Sequence, residues 1–531
     1  MKRYIFLGLI LLLGLALRSY NLSFPSIGYH NMKENEYLSM AQEMERTQDY
    51  INRRIYFLYG FDDIPLMKVY PQPPLVAYQV LLAWRMFGEN LWGPRMINVI
   101  FGVLSIAVIY FISFTLFDNI ALSLAASFLL SIMPLAVFFS RNLQPESPGF
   151  FFMILGNLFY LKFIRTLKKY NLVLGGLSFT VAWIYKFVFS IGIFPFFFCS
   201  PFRAIFKDRK EFLKYALSFI SPFLIIIAVI LWLKRIGQWE FDVLGRVKPW
   251  EVFLLSYWKK YGGMIWWYLK GENFTIIYLC TTLLGIIIAF AKRKGLLNRY
   301  LIGWTLAIIP YSMICSDLIN QHNYYQIPFL ILVVLATVYA FFFICEIIRR
   351  AYNRDLLILI MVIVIGLSLP LCYQAAKRMY AICFFGEDVA GESLKEFTQP
   401  EERVFLLTFP QGYAIARYAR RYAGWTYDLK EFQEIEKKFN VNYICFCPAE
   451  YAHLPASRNP ALFKYIQENY HFKEMGIAEG ENNARYIILE KGKGSDPGTF
   501  LKDFTGIRQL RNIYKIFGQY YFFYTIRSRP E

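Results

Sequence analysis

The feature that most constrains this chain is the recurrence of apolar runs of roughly 18 residues or more, longer and more uniformly apolar than the helices of a water-soluble core. In hydrocarbon every backbone N–H and C=O must find its partner inside the segment, so such runs fold as membrane-spanning helices. Runs at roughly 95–116, 119–139, 147–164, 172–187, 189–206, 213–233, 274–291, 299–317, 325–347 and 355–376 join a first run at Tyr4–Leu17 and predict about eleven spans. Hydrophobic residues make up 57% of the 531, which fits a polytopic helical membrane protein and excludes a soluble one. Lys2 and Arg3 precede the first run, and Arg18-Ser-Tyr-Asn-Leu follows it without a small-residue cleavage site. A retained first span with a cytoplasmic amino terminus is therefore expected rather than a cleaved signal.

The net charge of +19 would suggest nucleic acid in a soluble protein. Here the cations cluster between spans: Arg165, Lys168 and Lys169; Arg203, Lys207, Arg209 and Lys210; Lys292, Arg293 and Lys294; Arg349, Arg350 and Arg354. All fall on the side of the amino terminus, as the positive-inside rule expects, and no basic patch with interleaved aromatics remains for nucleic acid. Trp239, Trp250, Trp258, Trp266 and Trp267 mark an interface belt on the opposite, outer side. The expected domains are a transmembrane catalytic domain over 1–376, with a first outer loop at 19–91, and an α/β domain over 377–531. In the latter, Arg403-Val-Phe-Leu-Leu-Thr-Phe, Val441-Asn-Tyr-Ile-Cys-Phe and Arg485-Tyr-Ile-Ile-Leu-Glu read as strands, and Leu429–Phe439 and Pro460–Tyr470 as helices. An odd span count places this domain outside the cell. It has no GxGxxG and no P-loop, which leaves nucleotide binding unsupported. The eight cysteines show neither redox nor zinc spacing and the four histidines form no metal motif, so neither metal nor cofactor is called for.

Polar residues gather in the outer connections. Tyr29, Lys33, Tyr37, Met40 and Met44 share one face of a helix, and Glu34, Leu38 and Ala41 form the next stripe. This segment reads either as an interfacial amphipathic helix with solvated charges or as part of a polar site. Pro71-Gln-Pro-Pro, the Gly88–Arg95 stretch, Ser140-Arg-Asn-Leu-Gln-Pro-Glu146 and Gln321-His-Asn-Tyr-Tyr-Gln-Ile-Pro328 fall on the same side, and Lys186 joins them from a span end. Taken singly, Arg95 reads as a snorkelling cation, Glu146 as a helix N-terminal acid and Lys186 as an interface anchor.

In this order, these motifs resemble the GT-C glycosyltransferases of the dolichyl-phosphate-mannose protein mannosyltransferase and aminoarabinose transferase type (glycosyltransferase family 39). The resemblance covers about residues 4–350. It implies a GT-C-type polytopic α-helical membrane protein with a C-terminal extracytoplasmic α/β domain, in the plasma membrane. It further implies transfer of a sugar from a polyprenyl-phosphate donor to an acceptor hydroxyl on a glycan, lipid or protein, with inversion. Where many members open the first-loop motif with an Asp-Glu pair, this chain has Lys33-Glu34, with Tyr37 in place, so the usual catalytic Asp is missing. The base is then Glu34, Glu36 or Glu146, with Glu34 closest to the family's pattern and Glu36, about 200° away around a helix, expected to be silent. Gln72 stands where aminoarabinose transferases carry Lys before Pro-Pro.

The chemistry asks for a carboxylate to take the acceptor's proton and cations to neutralise the leaving lipid phosphate. Lys33, Arg95, Arg141 and Lys186 are the expected phosphate-binding residues, and Tyr37, His322, Tyr324 and Tyr325 the sugar or acceptor pocket. A transporter or flippase, and an inactive GT-C-like scaffold, are the rival readings. The transporter would call for inverted repeats and interrupted spans, and neither is legible in the sequence.

Overall fold

The computed structural model describes residues 2–57, 73–206, 208–236, 250–352, 357–408, 412–448, 459–493 and 508–528. Pro71, Gln72, Lys207, Trp239 and Arg354, and the side chain of Arg203, lie outside the described residues. The chain forms two compact units. The first comprises Met1–Leu22, Lys68–Gln79 and Trp92–Met379, and the second Ser23–Met67, Val80–Leu91 and Tyr380–Glu531.

The first unit is helical: α1 (Lys2–Arg18), the start of α3 (Leu75–Phe87), α4 (Trp92–Phe117), α5 (Ile120–Ile132), α6 (Pro134–Arg141), α7 (Glu146–Thr166) and α8 (Lys169–Tyr185). Short α9 (Phe196–Cys199) and α10 (Phe202–Ile205) precede α11 (Arg209–Ile220), α12 (Leu224–Arg235), α13 (Leu255–Trp267), α14 (Thr275–Lys292), α15 (Leu296–Ile314), α16 (Ser316–Gln321), α17 (Leu330–Tyr352) and α18 (Leu357–Ala381). Among the described residues, six helices are long and apolar enough to cross a membrane, or seven if the bent pair α5–α6 is one span. Of the other expected runs, α1 and α8, at 17 residues each, and α15 are continuous helices that fall short of that length or apolarity, and two runs are interrupted. The run at 189–206 is the plainest correction: Pro195 and Pro201 divide it into a 3-10 turn (Phe187–Ile193), α9 and α10.

The bend of 58° between α5 and α6 has a similar origin. Pro134 has no N–H to give, and Met133 leaves the helical region, so the carbonyls of Leu130 and Ser131 lose their helical donors. Arg18 replaces them. Its guanidinium donates to Leu130 O at 3.0 Å, Ser131 O at 2.8 Å and Ser140 Oγ at 3.2 Å, and the residue is wholly buried. Replacing Arg18 with Met strands both carbonyls and is expected to cost about 1–3 kcal/mol. A lowered midpoint of thermal unfolding in detergent is the expected readout.

The second unit is built on a seven-stranded sheet of order β2-β1-β3-β5-β4-β7-β6, with β1 (Val404–Leu407), β2 (Ala423–Gly424), β3 (Tyr443–Phe446), β4 (Tyr470–Ala478), β5 (Tyr486–Lys491), β6 (Arg508–Ile516) and β7 (Gln519–Arg527). β1 runs parallel to β2 and β3, and the other pairs are antiparallel. Its helices are α19 (Glu387–Phe397), α20 (Gly412–Ala419), α21 (Leu429–Phe439) and α22 (Pro460–Asn469). Phe405, Leu407, Phe432, Ile444, Leu462 and Leu489 are among the residues that form one core between sheet and helices. The first-loop helix α2 (Asn31–Thr47) belongs to this unit and packs on α20. Asn31 donates to Glu387 at 2.8 Å, the Ser26 N–H to Tyr418 Oη at 3.0 Å, and Arg46 to Tyr422 Oη at 3.1 Å.

Candidate active site

In the first unit, the polar residues singled out from the sequence stand at helix breaks. Glu146 opens α7 after the turn that follows α6. That turn is held by α4: Asn98 Nδ2 donates to Asn142 O at 2.6 Å and to Gln144 O at 2.9 Å, and Ser147 Oγ donates to Asn98 O at 2.7 Å. Arg95, one turn earlier, is 1% exposed and donates to Leu22 O at 2.8 Å. Lys186 ends α8 in extended backbone (φ −162°), and His322 likewise ends α16 (φ −141°) before a 3-10 turn, Asn323–Phe329.

These breaks bring Glu146, Lys186 and the aromatics together. Lys186 Nζ lies 2.6 Å from Glu146 Oε1, with the side chains 12% and 2% exposed. The same ammonium sits 4.2 Å from the Tyr324 ring centroid and 4.1 Å from that of Tyr325. His322 stacks on Tyr324 at 5.0 Å, and Tyr311 Oη donates to Tyr325 O at 2.8 Å. A cation so placed is held by one carboxylate and two ring faces, an arrangement that strengthens where water is scarce. Glu146 Oε2 is buried with no hydrogen-bond partner among the described residues. With Arg18, Ser105, Ser140 and Ser147, Glu146 lines a cavity of about 20 Å³, room for about one water molecule. Arg141 is buried at the end of α6.

In the second unit, α2 carries Lys33, Glu34, Glu36 and Tyr37. The two carboxylates among these are not solvated: Glu34 is 6% and Glu36 1% exposed. Ser26 Oγ donates to Glu34 Oε2 at 2.7 Å, and Lys33 Nζ pairs with Glu36 Oε2 at 2.8 Å, one turn away. Glu36 Oε1 is buried without a hydrogen-bond partner among the described residues. Burial pushes the Glu36 carboxyl above its ordinary value, with Lys33 and then Arg53 opposing.

Residues 71–232 match the sequence model of the dolichyl-phosphate-mannose-protein mannosyltransferase family. No curated protein matches the chain. Among solved structures, the chain is similar to the oligosaccharyltransferase AglB of Archaeoglobus fulgidus in complex with an inhibitory peptide and a dolichol-phosphate. There the TM-score is 0.57 at 13% identity, over 92% of this chain and 74% of that one. It is similar as well to ArnT from Cupriavidus metallidurans in the apo state, with a TM-score of 0.56 at 12% identity, over 92% and 97%. For ArnT bound to undecaprenyl phosphate the TM-score is 0.53 at 13% identity, over the same shares. The chain shares its fold with these GT-C glycosyltransferase structures.

Irregular backbone is tolerated at membrane depth where it is enclosed by protein or lines a cavity, and here the interruptions carry Glu146, Lys186 and His322. Sequence reasoning missed a second polar group in the first unit, Glu272, Asn273, Asn323 and Gln326, all buried. Three carboxamides and a carboxylate within ten residues of Trp267 or of His322 were the available signal, but hydropathy gives such short polar interruptions no weight.

Proposed function

We propose that this chain is an integral-membrane enzyme that transfers a sugar from a polyprenyl-phosphate donor to an acceptor hydroxyl on a glycan, lipid or protein, at the extracytoplasmic face of the plasma membrane. The observation that carries the reading is the Lys186–Glu146 pair beneath Tyr324 and Tyr325 in a chain with this fold. Relatives in fold hold dolichol-phosphate and undecaprenyl phosphate. Lys186, with Arg95 and Arg141, supplies the cationic character a phosphate monoanion or dianion requires. The acceptor oxygen attacks the anomeric carbon as its bond to the phosphate oxygen breaks. A carboxylate takes the acceptor's proton, and the electron pair leaves with the lipid phosphate, inverting the anomeric centre.

Glu146 is paired with Lys186, the cation that faces the two tyrosine rings. In this reading Glu146 organises the cation, and the base belongs to α2. Transfer from a panel of radiolabelled polyprenyl-phosphate sugars to membrane acceptors, using purified protein, tests the proposal. Label is expected to move from one donor at least. Donor binding without transfer from any donor would instead leave the chain an inactive scaffold.

A further inference from the structure

Between α13 and α14 the backbone widens into a π turn, Tyr268–Asn273, a rare geometry that recurs at functional sites. It is followed by Thr275 at φ +68°, where a β-branched side chain is strained. A surface connection between two membrane helices needs neither feature. What the turn does is grip the segment that carries His322, Tyr324 and Tyr325. Tyr268 Oη donates to Gln321 O at 3.4 Å, and Asn323 Nδ2 to Glu272 Oε2 at 2.8 Å. Asn273 Nδ2 donates to Gln326 Oε1 at 2.8 Å and to Asn323 O at 3.2 Å. Gln326 Nε2 returns to Ile265 O at 3.4 Å. The side of the turn away from this segment is pinned by Arg378, which donates to Gly271 O and lies over the Trp267 ring.

Asn273, Asn323 and Gln326 have no exposed surface, so their amides have no water to fall back on. The register of Tyr324 and Tyr325 against Lys186 therefore depends on this network. We propose that Asn273 is a positioning residue for the phosphate-binding cation. It holds the Asn323–Phe329 turn so that both tyrosine rings face the Lys186 ammonium. Glu272 is its partner in the same role. The inference rests on the proposed function, since it assigns the Lys186 pocket to the donor phosphate.

The test measures affinity of the purified full chain for undecaprenyl phosphate in detergent, in the wild type, Asn273→Leu, Tyr325→Leu and the double variant. Loss of two buried hydrogen bonds that set the pocket should weaken binding by about tenfold in Asn273→Leu. In the Tyr325→Leu background the same change should matter less, because one of the two rings it positions is gone. A merely structural asparagine would give the same loss in both backgrounds, and that result overturns the inference. If Asn273→Leu is not recovered as a monodisperse protein, Asn273→Asp replaces it in the cycle, since it keeps the shape and turns a donor into an acceptor. Wild-type binding with unchanged affinity in the Asn273 variant also overturns the inference and leaves the proposed function intact. Failure of the wild type to bind any polyprenyl phosphate removes the proposed function, and this inference with it.

Discussion

Lys186→Gln is expected to weaken binding of a polyprenyl phosphate by about 10- to 100-fold, the worth of one hydrogen bond to a charged group away from water. The ammonium has three donors and Glu146 takes one at 2.6 Å, so Lys186 is able to hold carboxylate and phosphate together. Gln keeps a donor toward Glu146 and loses the charge, which separates donor binding from folding. Met in its place would strand a buried carboxylate, a change that costs about 3–5 kcal/mol and confounds the reading. Lys186→Met combined with Glu146→Gln is the matched control. Glu146→Gln alone releases Lys186 from its carboxylate partner and should leave donor affinity equal or higher. Equilibrium binding of undecaprenyl phosphate to the purified variants decides the matter. Unchanged affinity in both Lys186→Gln and the double variant would reduce Lys186 to a structural cation.

Much of the fold was legible because long apolar helices and buried strands announce themselves by composition. The run expected at 95–116 is α4, and the helix expected at Leu429–Phe439 is α21 with those bounds. Val404–Leu407, Tyr443–Phe446 and Tyr486–Lys491 are strands inside the segments expected to be so. β6 and β7 were not legible: Arg508, Gln509 and Leu510 are exposed in the edge strand β6, and Gln519, Tyr520 and Tyr521 in its partner β7, so neither shows clean alternation. The interruptions inside 119–139 and 189–206 escaped for another reason. They are set by which backbone groups find partners across the fold, as Arg18 does for Leu130 and Ser131, and such pairings join residues more than 100 positions apart. The meeting of Glu146, Lys186, Tyr324 and Tyr325 was legible only as a shared side of the membrane. The i,i+3 spacing allowed Lys33 to pair with Glu36, but nothing in the sequence indicated that Glu36 is more buried than Glu34.

Those two facts change what is expected of α2. The helix is present, so the angular separation of Glu34 and Glu36 stands, yet both are buried and a change at Glu36 should not be silent. Glu34 accepts from Ser26, and Gln at that position preserves the bond through its carbonyl oxygen. Glu36 keeps one oxygen buried and without a hydrogen-bond partner among the described residues, as a proton acceptor requires. Glu36→Gln is therefore expected to lower transfer by about 10²–10⁴ with little change in donor affinity, and Glu34→Gln by much less. The pH dependence supplies a separate check. Burial, opposed by Lys33 and Arg53, holds the Glu36 carboxyl above its ordinary value of 4.5, so the base is protonated over a wider acid range. Transfer should rise with pH through that raised value, and the limb should vanish from the residual activity of Glu36→Gln. Stability runs the other way. A carboxyl whose folded pKa is raised contributes stability below its unfolded value and loses it as pH rises through the folded one, so Glu36→Gln should unfold no more readily than wild type at neutral pH. Loss of transfer with unchanged stability is then a loss of proton acceptance and not of folding. If Glu34→Gln or Glu146→Gln abolishes transfer while Glu36→Gln retains it, the base lies at that residue and Glu36 serves only to hold Lys33.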